Sequence, residues 1–192
     1  MVDEFVENMT QKFEMSMCGE LKYFLVLQIV QSEKGVFISQ SAYAHSLVKI
    51  FGLEDNKISR TPMSSALKLA RDEAGEDVDS KLYRGMIGSL LYFTASKPDH
   101  TFNVGVCARY QAKPKVSHLN AVKRIIKYVK GTENLRIYYS KNSNENLVGY
   151  YDADWAGCAD DRKSTSGGCF FLGNNLISWL SKKQNFVSLS TA

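Results

Sequence analysis

The 192-residue chain is short of the residues that build small-molecule and metal centres, with four cysteines, three histidines and three prolines. Cys18, Cys107, Cys158 and Cys169 form no Cys-x-x-Cys pair and join no Cys/His cluster, which excludes a structural zinc site of ordinary spacing. Four scattered thiols do not make a disulfide scaffold in a chain this long, so they read as reduced, mostly packed cysteines of an intracellular protein. His45, His100 and His118 lie far apart on segments of helical pattern and read as surface or packed side chains. No Ser/His/Asp arrangement and no glycine-rich phosphate loop is present. No run of about 18 apolar residues exists, so nothing is expected to span a membrane. Residues 1–10 carry three acids and no apolar run, so no secretory signal is expected.

What remains is an ordinary globular composition, 44% hydrophobic and 23% charged. The formal net charge of +4 says little by itself. Its placement says more. Residues 109–130 hold Arg109, Lys113, Lys115, Lys123, Arg124, Lys127 and Lys130 with no acid among them, whereas acids gather between Asp72 and Asp79.

Periodicity divides the chain into a helix-rich part and a strand-rich part, an α+β arrangement. Phe5, Val6, Met9 and Phe13 predict an amphipathic helix over 3–14. Residues 21–40 predict a hairpin, with an apolar run from Leu21 to Val30, turn chemistry at Ser32–Gly35, and Val36–Ile38 returning. Tyr43, Leu47, Ile50 and Phe51 predict one face of a helix closed by Gly52. Residues 54–79 are polar and predict a linker. Leu82, Met86, Leu90 and Phe93 predict a helix over 80–95, in which Gly85 and Gly88 are best explained by close helix packing. A further helix is expected over 101–111, and Ser117 is placed to cap one running to Lys130 and stopped by Gly131. In that last helix Val122, Ile125, Ile126 and Val129 share one face and the basic residues largely the other. Strands are expected at 135–139, 147–152, 168–172 and 176–179.

Seven segments in register resemble the copia-type Pol polyprotein of plant retrotransposons: FEMSMCGELKYFLVLQI (13–29), GVFISQSAY (35–43), FGLEDNKISRTPM (51–63), YRGMIGSLLYFTASKPD (83–99), SHLNAVKRIIKYVKGT (117–132), GYYDADWAGCADDRKSTSGGCFFLG (149–173) and SWLSKKQNFVSLSTA (178–192). The resemblance implies a reverse transcriptase palm-end hairpin and a helical thumb and connection, followed by an incomplete ribonuclease H-like antiparallel sheet. Residues 1–50 would be the palm end, primer-grip-like hairpin and thumb start. Residues 51–145 would be the thumb and connection region, and 146–192 a truncated ribonuclease H-like unit. Three places depart from the family pattern: Val26 stands where glycine is typical, His100-Thr101 replaces an apolar pair, and Phe186 replaces a small residue.

The resemblance also bears on chemistry. Ribonuclease H uses two Mg²⁺ ions about 4 Å apart, which several converging carboxylates must hold. By resemblance Asp152 is the first of these, with Asp154 the runner-up because residues two apart on a strand share a face. Without the resemblance the two residues read as exposed acids at a strand end. The family's Tyr-Val-Asp-Asp polymerase turn is absent, and the glutamate expected after Ser190-Thr191-Ala192 is absent too. The expectation is therefore a catalytically incomplete section of a Pol polyprotein with a vestigial metal site and no cofactor, although the parent enzyme uses Mg²⁺. The alternative is a redeployed, non-catalytic nucleic-acid-binding or protein-interaction module. Asp160-Asp161-Arg162-Lys163 reads as a solvated loop whose own bases balance its acids. Lys123, Arg124, Lys127 and Lys130 are the candidates for weak, sequence-independent contact with duplex or RNA–DNA hybrid phosphates; the same pattern also fits a merely solvated helix face.

Overall fold

The computed structural model describes residues 2–64 and 66–190; Thr191 and Ala192, after which a glutamate was expected, lie outside the described residues. Helix α1 (Val2–Lys12) has acids in its first turn and buries none of its residues. Strands β1 (Tyr23–Phe24), β2 (Leu27–Ser32) and β3 (Gly35–Ser39) follow, then α2 (Ser41–Ile50), α3 (Ser80–Phe93), α4 (Thr101–Ala108) and α5 (Val116–Gly131). The chain closes with β4 (Ile137–Ser140), β5 (Leu147–Ala153), β6 (Thr165–Leu172) and β7 (Asn175–Lys183). Two antiparallel sheets result, one of order β1-β2-β3-β4 and one of order β5-β6-β7. The fold is α+β, as the residue pattern predicts.

The core lies among α2–α5. Leu47, Tyr83, Met86, Ile87, Leu90, Phe93 and Val104 are buried there, and the four apolar residues of α5, Val122, Ile125, Ile126 and Val129, are fully buried. Burying such a side chain completely is worth roughly 1.5–3 kcal/mol, so the α5 stripe is a large part of what holds the helical half together.

Several expectations change in detail. The apolar run from Leu21 to Val30 is not one strand. Phe24 pairs with Leu27 across a two-residue turn, so Leu25 and Val26 form a tight hairpin loop with φ of 46° and 66°. A type I′ geometry of this kind needs positive φ at both central residues and therefore favours Asn-Gly. That accounts for glycine being typical at position 26, and makes Val26 a strained, β-branched substitute. Leu82 is exposed, and Tyr83 takes its place in the core by donating its hydroxyl to the Cys107 carbonyl at 2.8 Å. Ile50 is likewise exposed, while Ala44 and Val48 complete the buried face of α2. Gly85 and Gly88 are exposed, and a Cβ on either would meet open space, so close helix packing does not explain them. The close approach is instead at Gly35, where a Cβ would collide with the Tyr139 carbonyl oxygen on β4. Ser117 does not cap α5. The Lys115 backbone N–H donates to His118 Nδ1 at 3.0 Å, and Ser117 hydrogen-bonds Asp72 at 2.5 Å.

The departure at His100-Thr101 is visible as a polar defect in the core. His100 is fully buried between the rings of Phe93 and Tyr128, and neither ring nitrogen has a hydrogen-bond partner; Thr101 Oγ1 is also buried and unpartnered. Burial, the largest influence, lowers the His100 pKa, against the attraction of Asp99 3.6 Å away. Neighbouring Lys97 is buried as well, but its ammonium is satisfied by the Thr132 and Leu135 carbonyls at the end of α5, at 3.1 and 2.8 Å.

Two stability outcomes follow. Val26→Gly is expected to raise stability by about 1 kcal/mol, seen as a higher urea midpoint at unchanged slope, because it relieves the left-handed strain. An unchanged or lower midpoint would remove the strain argument. For His100, the unfolded side chain titrates near pH 6.5 and the folded one lower, so the unfolded state binds more protons in that window. The stability present above about pH 6.5 is therefore lost progressively as pH falls through the folded pKa. His100→Leu is expected to add about 1 kcal/mol at neutral pH and to flatten this acid limb. Urea melts at about pH 7.5 and 5 test both parts; a variant with an identical acid limb would rule His100 out as its source.

Candidate nucleic-acid interface

The basic residues of α5 do not stand free in solvent. The 54–64 segment, polar enough to predict a linker, lies across this face of the helix. Arg124 donates from Nε and Nη2 to the Thr61 carbonyl and hydroxyl, at 3.2 and 2.8 Å. Lys130 donates to the Asn56 carbonyl at 3.0 Å and to that of Glu54. The Lys127 carbonyl accepts the Ser59 N–H at 3.2 Å. Two of the four basic side chains thus serve the peptide carbonyls of a loop that has few such partners of its own. Lys123 and Lys127, both half-buried, line a cleft of about 620 Å³ with Lys57, Ser117 and Asn120. The structure therefore brings together Lys57, Lys123, Arg124 and Lys127 around one open basic cleft, with Arg124 committed to Thr61, while Lys130 lies outside its walls and serves the Asn56 carbonyl. Lys57 was not singled out from sequence; only the docking of the loop brings it to α5.

The two aspartates sit elsewhere, on the second sheet. Asp152 is exposed on β5, opposite Gly167 of β6. Its Oδ1 accepts the adjoining Ala153 N–H at 2.8 Å. It borders a cleft of about 310 Å³ between β5–β7 and α4, with Phe102, Tyr151 and Trp179 among the walls. Asp154 lies just beyond the strand and is committed to the loop, its Oδ1 accepting the Thr165 N–H at 2.5 Å. Among the described residues no group of three or more His, Cys, Asp or Glu side chains is placed to share an ion. The donors present do not fit a two-metal centre, which needs several converging carboxylates.

The Asp160–Lys163 loop balances its charges through distant partners, not through Arg162 and Lys163 as its sequence suggests. Asp160 accepts the Arg71 N–H at 2.9 Å and the Tyr110 hydroxyl at 3.1 Å. Asp161 pairs with Lys183 at 2.8 Å, which holds its carboxyl below the usual range. The Asp160 contacts, with Arg109 donating to Thr165 Oγ1 and Trp179 Nε1 to the Thr94 carbonyl, join the second sheet to the helical part, while Asp161–Lys183 ties the loop to β7. The sheet is only partly covered: Val148, Tyr150, Leu172 and Ile177 are exposed, and every residue of β5 is open to solvent. No helix of the described residues is long and apolar enough to cross a membrane.

Residues 1–65 match the family model described as reverse transcriptase (RNA-dependent DNA polymerase). An uncharacterized mitochondrial protein of Arabidopsis thaliana is 35% identical over 191 residues, covering 100% of this chain and 79% of the relative. The retrovirus-related Pol polyprotein from transposon RE1 of Arabidopsis thaliana is 36% identical over 97% of this chain. That from transposon TNT 1-94 of Nicotiana tabacum is 33% identical over 96% of it. The chain spans only 13% and 14% of those two polyproteins. No solved structure matches.

Proposed function

The chain belongs to the copia-type retrotransposon Pol family, and on that premise we propose that it is a non-catalytic section of such a polyprotein whose remaining capacity is weak, sequence-independent binding of duplex or RNA–DNA hybrid. The observation that carries the binding part is the cleft lined by Lys57, Lys123 and Lys127. Three ammonium groups along one groove suit a phosphate backbone, which is recognised by charge and spacing without reading bases. Lys123 and Lys127 are four residues apart, hence about 6 Å along the helix axis, a spacing that lets both reach one strand. In this reading residues 1–50 are of palm-end and thumb-start ancestry, 51–145 of thumb and connection ancestry, and 146–192 of ribonuclease H ancestry. The reverse transcriptase match over residues 1–65 supports the first of these.

The non-catalytic part rests on the donor set. Asp154 is spent on the Thr165 N–H, and Asp152 is without converging carboxylates among the described residues. Mg²⁺ would associate with Asp152 only as with any exposed carboxylate. The chain is expected to show neither DNA synthesis nor hybrid-dependent RNA cleavage with Mg²⁺ or Mn²⁺. Metal-dependent cleavage that disappears in Asp152→Asn would overturn this reading.

The two kinds of basic residue on α5 are expected to behave differently. Lys123→Gln with Lys127→Gln should leave the melting temperature unchanged and weaken duplex binding, with the slope of log K against log salt falling by about 2. Lys130→Gln should instead lower stability by about 1 kcal/mol, since it strands two loop carbonyls. Fluorescence anisotropy across a salt series, with thermal melts, separates the outcomes. Full binding by the Lys123/Lys127 double variant would show that the cleft is merely solvated.

A further inference from the structure

A second basic cleft lies on the other side of the segment that docks at the start of α5. Its volume is about 640 Å³, within the range of small-ligand sites, and its walls are Arg71, Glu73, Arg109, Tyr110, Lys113 and Lys115. The Ser117–Asp72 hydrogen bond stands between this cleft and the one that holds Lys123 and Lys127. We propose that it binds a phosphoryl group, at a site separate from the α5 face.

The walls are already built. The Tyr110 hydroxyl lies 2.9 Å from the Leu69 carbonyl and 3.1 Å from Asp160 Oδ2, its single proton shared between the two acceptors, and its ring stacks on His118 with centroids 4.1 Å apart. Asp160 also accepts the Arg71 backbone N–H, so one carboxylate braces both sides. Lys115 is buried and spent, its ammonium paired with Asp77 and hydrogen-bonded to the Gly75 carbonyl, each at 2.8 Å. Arg109 is tethered through Nη2 to Thr165 Oγ1 at 2.8 Å, which leaves its other N–H groups for a ligand. Arg71 and Lys113 present exposed side chains at the mouth.

Charge decides the class of ligand. With Lys115 neutralised by Asp77, the cations are Arg71, Arg109 and Lys113, against Glu73 and the bracing Asp160. The excess is positive, and two of the three cations are guanidinium groups, whose planar forks match phosphate oxygens. An anchored arginine loses less side-chain freedom on binding, so it favours a compact, multiply charged anion over a diffuse one. The shared chemistry is the phosphoryl group, whether of a free phosphate compound or of a nucleic-acid backbone.

Inorganic pyrophosphate titrated into the full chain by calorimetry tests this, with a 12-nucleotide single strand as a second probe. Arg71→Gln with Lys113→Gln changes two exposed side chains and is expected to weaken pyrophosphate binding at least tenfold. Lys123→Gln with Lys127→Gln is expected to leave it unchanged. Arg109→Lys, which keeps the charge but loses the fork, should weaken it as well and guards against a folding defect in the double variant. If oligonucleotide affinity falls in parallel, the ligand is a backbone phosphate; if only pyrophosphate binding falls, it is a free phosphate compound. Pyrophosphate binding that is unaffected by Arg71/Lys113, or that follows Lys123/Lys127 instead, overturns the site while leaving the α5 reading intact. Loss of duplex binding in neither double variant would instead defeat the α5 reading and leave the pyrophosphate result to stand alone.

Discussion

Helix α5 is loaded on both of its faces, and the rest of the helical half is arranged by that fact. One face inserts Val122, Ile125, Ile126 and Val129 among α2, α3 and α4 and excludes water from all four. The other face uses Arg124, Lys127 and Lys130 to fasten the 54–64 segment by its carbonyls and amides. At the end of the helix, buried Lys97 donates to the Thr132 and Leu135 carbonyls, where the helix dipole favours a cation and the last carbonyls need donors. The helix is therefore a core element and a scaffold for irregular chain at once. The cost of burying Lys97 is offset by those carbonyls and by the Phe93 ring 5.5 Å from its ammonium.

This double use explains why the helical half was legible from sequence and the interface was not. The 3.6-residue period of the apolar stripe is local, so the buried residues of α5 could be read directly. Which lysines remain available to a ligand depends on where residues 54–64 dock, and that segment carries no period. A cation spent on a loop carbonyl looks the same in sequence as one facing solvent. The same gap hid Lys57 and the roles of Asp160 and Asp161, whose partners Tyr110 and Lys183 are distant along the chain. Periods were also misread by one position where a polar atom decided the outcome. Tyr83 is buried in preference to Leu82 because its hydroxyl reaches the Cys107 carbonyl. The pairing of β4 with β3 joins residues about a hundred positions apart, with Gly35 as the point of closest approach, and no local signal announces it.

Two of the three places that depart from the family pattern fall where the structure has physical objections to them; nothing in the structure explains Phe186. Val26 occupies a left-handed turn position, and His100 and Thr101 place unpartnered polar atoms in the core. Both are tolerable individually, since each costs on the order of 1–3 kcal/mol against a domain stability of about 5–15 kcal/mol. They are nonetheless local choices that disagree with the fold around them, of the kind a minimally frustrated sequence avoids.

The second sheet poses a different constraint. Its strands pair well with one another, but β5 is an edge that exposes every residue, including Leu147, Val148, Tyr150 and Tyr151. An uncovered edge of this length offers unpaired backbone donors and acceptors to any other strand. What secures the sheet is its other side. Trp179 reaches Thr94, Asn175 exchanges hydrogen bonds with Ser140, and Arg109 holds Thr165. These are single polar contacts spread along β6 and β7, and none involves β5 except through its neighbour. In the proposed reading Asp152 is a remnant of a metal site, and it lies on β5, which among the described residues pairs with β6 alone. A catalytic carboxylate must be held within a fraction of an ångström by packed and hydrogen-bonded support. Among the described residues the Asp152 carboxylate has only the adjoining Ala153 N–H as a hydrogen-bond partner.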